Sequence, residues 1–496
     1  MTVSSLRSQG ANPRWFWVLL IGIAGFGMGQ AILHASSDLI IDEPFVANAI
    51  HGSWAEMFTH FQTDLALPLH FLVLKLWAGV FGESEFALRF PSILFYGGSI
   101  LIVGLIARRN GERSGLIASL LMASSVTMGQ EHAFSARMYA LLGFEIALST
   151  WGAFEIVERI RTGRMVPRWL YGIMGTLFLA GMLTHTIYFF FLCALMLMVL
   201  IWARRAFIPL LLIGVISGAL YLIPMYPLLI KSQPLQWLSK ATPENILWGF
   251  RLLWFSLVSE AVLLLALTLM MIRLARRRNL PSEVVQAGFM TVVMVLLTWG
   301  TSQITPIFIA TRTPMLFLGL ICVGVGVLFA QTLPRSAILL VGIFIAAASV
   351  GLNVLRLNID HAQTRESVAS LIDHAQCGDW LILTSLSYSE VVYYLRRLNA
   401  PPCLNMETFP PDTETHPGWI DRARYQNDPT LLQTAADDLV RRLSASDARK
   451  VWVFWDQARV DLNQALSDAL EMGWQNIETV PFYGTYFTKI LVYEAR

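Results

Sequence analysis

The chain has 496 residues, 55% of them hydrophobic and only 14% charged, with a mean hydropathy of +0.56 and a formal net charge of +2. Such a composition excludes an ordinary soluble globular protein and makes lipid the solvent for most of the chain, while the near-balanced charge gives no ground for a nucleic-acid partner. The four cysteines, Cys193, Cys322, Cys377 and Cys403, lack the spacing of a zinc site.

A helix that crosses the hydrocarbon needs about 20 apolar residues, because every backbone amide must be satisfied within the segment. The long apolar runs show no period-two alternation, which excludes a transmembrane barrel. The first run, 15–34, lacks a small-residue cleavage site before Asp42 and reads as a retained helix. After it, residues 36–87 form an outer loop with apolar pieces at 45–61 and 68–81. Counting the second piece as a span would invert every later loop, so both are expected as helices lying on the membrane surface, anchored by Trp54, Phe58 and Trp77. Further spans are expected at 89–108, 114–130, 138–157, 169–184, 187–203, 206–224, 246–272, 284–302, 313–331 and 337–355, about eleven in all.

Arginines fall at alternate connections: Arg7 and Arg14, Arg108 to Arg113, Arg159 to Arg168, Arg204 and Arg205, Arg273 to Arg278, and Arg335. Cationic loops stay cytoplasmic, so these runs are topology determinants and not a binding patch. The N-terminus is then cytoplasmic, and Asp42, Glu43, Glu83, Glu131 and the tail fall on the opposite side, periplasmic or extracellular, of the plasma (inner) membrane. From about residue 356 the composition turns polar. Helix-like segments at 367–375 and 431–443 alternate with strand-like runs at 381–384, 451–455 and 487–493. The expected fold is therefore mainly α: a polytopic helical bundle over 1–355 and a small soluble α/β domain over 356–496. In an oxidising compartment Cys377 and Cys403 could pair.

Two constellations at the outer face carry chemistry. Adjacent carboxylates in Asp42-Glu43-Pro44 bear a desolvation cost at the membrane surface that a solvated loop would avoid. They fit either a functional acid or a helix start with Asp42 as N-cap and Pro44 in the first turn. The second runs Gln130-Glu131-His132, Ser135, Arg137, Tyr139. There an arginine suits phosphate, although Glu131 or Glu145 would serve equally well as its structural partner. His70, His185 and Arg312 also fall at outer span ends. No phosphate-binding glycine loop, HExxH-type metal site or nucleotide signature is present.

The order of these elements resembles the GT-C membrane glycosyltransferases of family 39 type, the group holding protein O-mannosyltransferases and the lipid A aminoarabinose transferase. The resemblance rests on Asp42-Glu43 after the first span, Leu67-Pro68-Leu69, Phe81-Gly82 through Arg89-Phe90-Pro91-Ser92, Ser135-Ala136-Arg137-Met138-Tyr139-Ala140-Leu141, Thr184-His185 and Thr311-Arg312. Departures are Ser135 where the family often has an acid, Thr313 in place of a tyrosine, and a histidine displaced to His70. The resemblance implies an inverting transferase of class EC 2.4 that moves a sugar from a polyprenyl-phosphate donor to a hydroxyl of a lipid, glycan or protein. In that scheme Asp42 is the general base and Glu43 orients it or the acceptor. Arg137, Arg312, His185 and Lys231 receive the donor phosphate, and His70, Glu131, His132 and Tyr139 shape the sugar or acceptor pocket. The resemblance fixes no cofactor and leaves a divalent metal open, which a Glu43 and His185 pair could hold. The competing reading is a transporter or flippase of a lipid-linked glycan, which needs midplane carboxylates such as Glu145, Glu155 or Glu260. The topology is checked by fusions: a reporter active only in the cytoplasm should work after Arg278 and fail at the C-terminus, and the converse result would invert the assignment.

Overall fold

The computed structural model describes residues 14–40, 42–63, 67–231, 240–357, 362–411, 422–428, 430–455, 460–482, 487 and 489–496. The chain divides into two compact units. The first comprises Met1–Ala35, Leu67–Val73 and Arg89–Asn358, and the second Ser36–Ala66, Leu74–Leu88 and Ile359–Arg496. Of the loop after the first span, assigned with the helical bundle on sequence, residues 36–66 and 74–88 group with the tail and 67–73 with the first unit.

Among the described residues eight helices are long and apolar enough to cross a membrane: Arg14–Ile32, Glu85–Arg108, Tyr139–Arg161, Arg204–Tyr226, Ser256–Ala275, Ser282–Ile304, Met315–Thr332 and Arg335–Leu357. This is a multi-pass membrane protein. The three other expected spans are shorter helices, Glu112–Ala123, Arg168–Thr184 and Tyr188–Trp202, of 12, 17 and 15 residues. The expected run at 246–272 is two helices, Pro243–Arg251 and Ser256–Ala275, broken where Phe255 takes a φ of 76°.

The short helix at 112–123 has a local cause. Ser124, Ser125 and Thr127 follow it, and such hydroxyls offer the backbone partners other than its own helix. Ser125 Oγ donates to the Leu253 carbonyl at 2.9 Å and Thr127 Oγ1 to that of Leu252 at 2.8 Å, while the Val126 amide reaches Leu253 O at 3.0 Å. Two irregular stretches at membrane depth therefore satisfy one another, the circumstance in which lipid tolerates them. A five-residue π-helical turn, Met128–His132, comes next and leads into Tyr139–Arg161.

Close packing in this unit uses small residues. A Cβ on Gly326 would lie 2.7 Å from the Ala118 backbone nitrogen, so helix Met315–Thr332 meets helix Glu112–Ala123 nearly backbone to backbone, the usual basis of helix association in lipid. Buried polar groups tie the termini together. Ser349 Oγ donates to Gln30 Oε1 at 2.8 Å, Gln30 Nε2 to Ala123 O at 3.2 Å, and Gln130 Nε2 to Ser349 O at 3.0 Å.

The second unit holds a five-stranded sheet of order β2-β1-β3-β5-β4, formed by β1 (Trp380–Thr384), β2 (Asn405–Phe409), β3 (Lys450–Trp455), β4 (Trp474–Pro481) and β5 (Lys489–Ala495). β1 runs parallel to both β2 and β3, whereas β5 is antiparallel to β3 and β4. The central strands β1, β3 and β5 are the three expected from sequence. β2 and β4 are the sheet edges, and their mostly exposed, polar residues carry no apolar run to mark them. Helices Thr430–Ser444 and Val460–Glu471 cover a core that includes Ile382, Leu439, Val453, Leu466 and Trp474.

Cys377 and Cys403 are joined in a disulfide that links the turns preceding β1 and β2. With a sequence separation of 26, loss of the cross-link should cost the tail about 3 to 4 kcal/mol through chain entropy. Pulse proteolysis of a Cys377→Ser, Cys403→Ser protein across a urea series checks this; an unmoved midpoint would mean that the bridge contributes nothing to stability.

Candidate active site

In the first unit a cluster assembles around one aromatic ring. Tyr139, the buried first residue of helix Tyr139–Arg161, has the Arg137 guanidinium 5.1 Å and the Arg312 guanidinium 5.6 Å from its ring centre. The electron-rich face of a phenol attracts cations, so one side chain holds two positive charges that would otherwise repel. Arg137 lies just before the helix and Arg312 in the turn before helix Met315–Thr332, so residues 175 apart in sequence reach the same ring. Thr313 closes that turn by accepting the Ile309 amide on Oγ1 at 3.0 Å.

Three histidines surround the pair. The His132 ring lies 4.6 Å and the His185 ring 5.8 Å from Tyr139. Burial pulls the His132 pKa down to about 4, against a hydrogen bond to the Thr311 carbonyl, with Arg137 and Arg312 lowering it further. Burial and the same two arginines bring His185 to about 4, and burial with Arg137 brings His70 to about 3. All three are neutral at physiological pH. Hydrogen bonding sets their tautomers: Nε2 of His132 donates to Thr311 O at 3.1 Å, while Nδ1 of His185 accepts the Ile187 amide at 3.2 Å, leaving the His185 proton on Nε2. Positive charge here therefore comes from guanidinium, with imidazole N–H as a neutral donor. That combination receives an anion and has no lone basic histidine at its disposal for proton abstraction in the presence of two arginines.

Thr184, just before His185, donates to Glu145 Oε1 at 2.9 Å, a link from helix Tyr139–Arg161 to the turn that presents the histidine. Sequence reasoning saw Glu145 only as a partner for Arg137 or a relay acid. Glu131 is ion-paired with Arg356 at 3.2 Å, and Arg356 also donates to the Gln130 carbonyl at 2.6 Å, so Glu131 anchors the π-helical turn. The deeper acids are likewise engaged, Glu155 with Arg109 at 2.9 Å and Arg159 at 2.6 Å, and Glu260 with Arg251 at 2.5 Å. Lys231 ends helix Arg204–Lys231, and its side chain lies outside the described residues.

The acidic pair belongs to the second unit. Asp42 occupies the N-cap position of helix Glu43–His51, with Pro44 in the first turn, yet its side chain makes no capping hydrogen bond. Glu43 is buried, and its Oε2 accepts the Ile40 amide at 3.0 Å, folding the chain back at the helix entrance. Position thus matches the capping expectation for Asp42. Among the described residues no three His, Cys, Asp or Glu side chains gather as a metal-binding group.

A family model for dolichyl-phosphate-mannose-protein mannosyltransferases matches residues 66–230. ArnT from Cupriavidus metallidurans bound to undecaprenyl phosphate superposes with a TM-score of 0.60 at 12% identity, over 97% of this chain and 98% of that one. The fold is that of the GT-C glycosyltransferases. The apo form of the same ArnT gives a TM-score of 0.61 at 12% identity, covering 96% and 97%. The oligosaccharyltransferase of Archaeoglobus fulgidus, solved with a tethered acceptor peptide, gives 0.53 at 11% identity, covering 96% of this chain and 74% of that one. No curated protein sequence matches the chain.

Neutral histidines give this GT-C protein an acid limit. Their folded pKa values, about 3 to 4, lie below the ordinary 6.5, so the unfolded state binds more protons in that window. Stability should be full above about pH 6.5 and fall as the pH drops from there toward 4. Thermal melts at pH 7.5, 6 and 5 read this, with His132→Gln and His185→Gln each flattening the decline; an equal slope in both variants would show that other groups set the limit.

Proposed function

We propose that the chain is an inverting glycosyltransferase that moves a sugar from a polyprenyl phosphate to a hydroxyl of a lipid, glycan or protein acceptor at the outer face of the membrane. The observation that carries the reading is the convergence of Arg137 and Arg312 on Tyr139 amid neutral histidines, in a chain with a GT-C fold. A phosphate departing from an anomeric carbon gains charge in the transition state, and fixed guanidinium groups at low dielectric stabilise that charge without reorganising.

Two features support the outer face. The cationic runs sit at helix ends, Arg108 and Arg109 after one span, Arg159 and Arg161 after the next, and Arg335 at the start of the last. The tail carries the Cys377–Cys403 disulfide, which persists in an oxidising compartment and not in a reducing cytosol. An aqueous sugar nucleotide is absent there, whereas a lipid-linked donor reaches the site through the bilayer.

Asp42 is assigned as the base because it is a half-buried carboxylate at the entrance of helix Glu43–His51, next to a Glu43 whose Oε2 accepts the Ile40 amide. It removes the acceptor hydroxyl proton as that oxygen bonds to the anomeric carbon. The carbon–oxygen bond to phosphate breaks, its electron pair leaves on the phosphate, and configuration inverts. Arg137 and Arg312 neutralise the leaving group and His185 donates its Nε2–H, while Tyr139, His132 and His70 shape the sugar pocket.

Asp42→Asn keeps the shape without the basicity and should lower transfer about 10² to 10⁴-fold with normal expression. Near wild-type transfer from a polyprenyl-phosphate sugar in proteoliposomes would remove Asp42 from the chemistry. Arg137→Ala and Arg312→Ala should each weaken binding of undecaprenyl phosphate by at least about 10-fold, the scale of a charge-assisted hydrogen bond. Calorimetric titration with that lipid in both variants checks it, and unchanged affinity would place the donor phosphate elsewhere.

A further inference from the structure

The second unit joins the tail to the loop that bears Asp42, and the join is made at residues with no part in the sheet core. Helix Ser387–Arg397, which follows β1, packs against helix Glu43–His51. Three residues before Asp42, the Leu39 amide donates to the Tyr394 hydroxyl at 2.9 Å. Within the helix that Asp42 opens, Asn48 Nδ2 donates to the Ser389 carbonyl at 2.9 Å, and Arg396 donates to Asn48 Oδ1 at 3.0 Å while bridging to Glu83 at 3.0 Å. Upstream, the Arg365 amide donates to Asp38 at 2.7 Å and its guanidinium pairs with Glu85 at 2.7 Å. Tyr393 and Tyr394 are both fully buried.

These contacts hold the segment on either side of Asp42, and they are specific where a mere covering domain would be apolar. The bonds reach main-chain atoms of the loop and its single asparagine, which fixes the backbone path itself. We infer that Tyr394 and Arg396 of the C-terminal domain are positioning residues for Asp42. The inference rests on the reading of Asp42 as base. A general base must lie within hydrogen-bond reach of its proton, and an error of about 1 Å in such a group costs up to about 10²-fold in rate.

The test uses the full-length protein in proteoliposomes with Tyr394→Phe, Arg396→Ala and Arg396→Lys. Tyr394→Phe deletes the hydroxyl that accepts the Leu39 amide and that also meets Arg365. The expected result is a fall in kcat of about 10-fold or more for Tyr394→Phe and Arg396→Ala at unchanged donor KM. Arg396→Lys should recover part of it, and amide hydrogen exchange should quicken over residues 38–51. Quickened exchange with unchanged kcat would overturn the inference, as would unchanged exchange and kcat together. Asp42→Asn measured alongside separates the two claims: if it retains full transfer, the reading of the base fails and takes this role with it. If Asp42→Asn is inactive while both tail variants turn over normally, the positioning role alone fails.

Discussion

Two guanidinium groups brought from distant parts of the chain onto one phenol ring form the interaction on which the first unit turns. Placing like charges together in a region of low dielectric is costly, and the cost is met by the ring face, by burial of the histidines in their neutral form, and by turns that fix the approach of each arginine. The π-helical turn, the Thr311 carbonyl and the Thr184–Glu145 contact all hold members of this cluster in place. An anion with several oxygens is the natural complement of such a cluster.

Lipid imposes the second constraint. Every backbone group at membrane depth must find a partner, and the helix break at 124–125 with the two residues after it and the irregular stretch 252–255 find partners in each other. That pairing explains why the chain can afford a 12-residue helix where a full span was expected. It also interrupts the α-helix ahead of the π-helical turn and the bend at 133–138, so that His132, Arg137 and Tyr139 can face one centre in spite of their close spacing.

The second unit packs a polar C-terminal domain against the helices that follow the first span. Its sheet is a conventional open α/β layer with edges kept polar. Its helix Ser387–Arg397 instead turns tyrosines and arginines toward the outer-loop helices, where they meet amides and carboxylates. Polar contacts of this kind specify one backbone path more sharply than apolar packing does, because an unpaired buried amide is expensive.

Hydropathy and arginine placement made the multi-pass architecture, the polar tail and its central strands legible from the residues, because lipid solvent and sheet burial both act on runs of neighbouring side chains. The order of Asp42, Arg137, His185 and Thr311-Arg312 was enough to suggest the fold family. Tertiary structure decided what no local pattern encodes. Glu131 joins Arg356 and not Arg137, Asp42 sits at a helix start without capping it, and Tyr394 and Arg396 hold the Asp42 loop from more than 340 residues away. Each of these is a choice of partner among many chemically equivalent groups. Such choices depend on which surfaces the packed helices bring together, and the sequence around any one residue carries no trace of them.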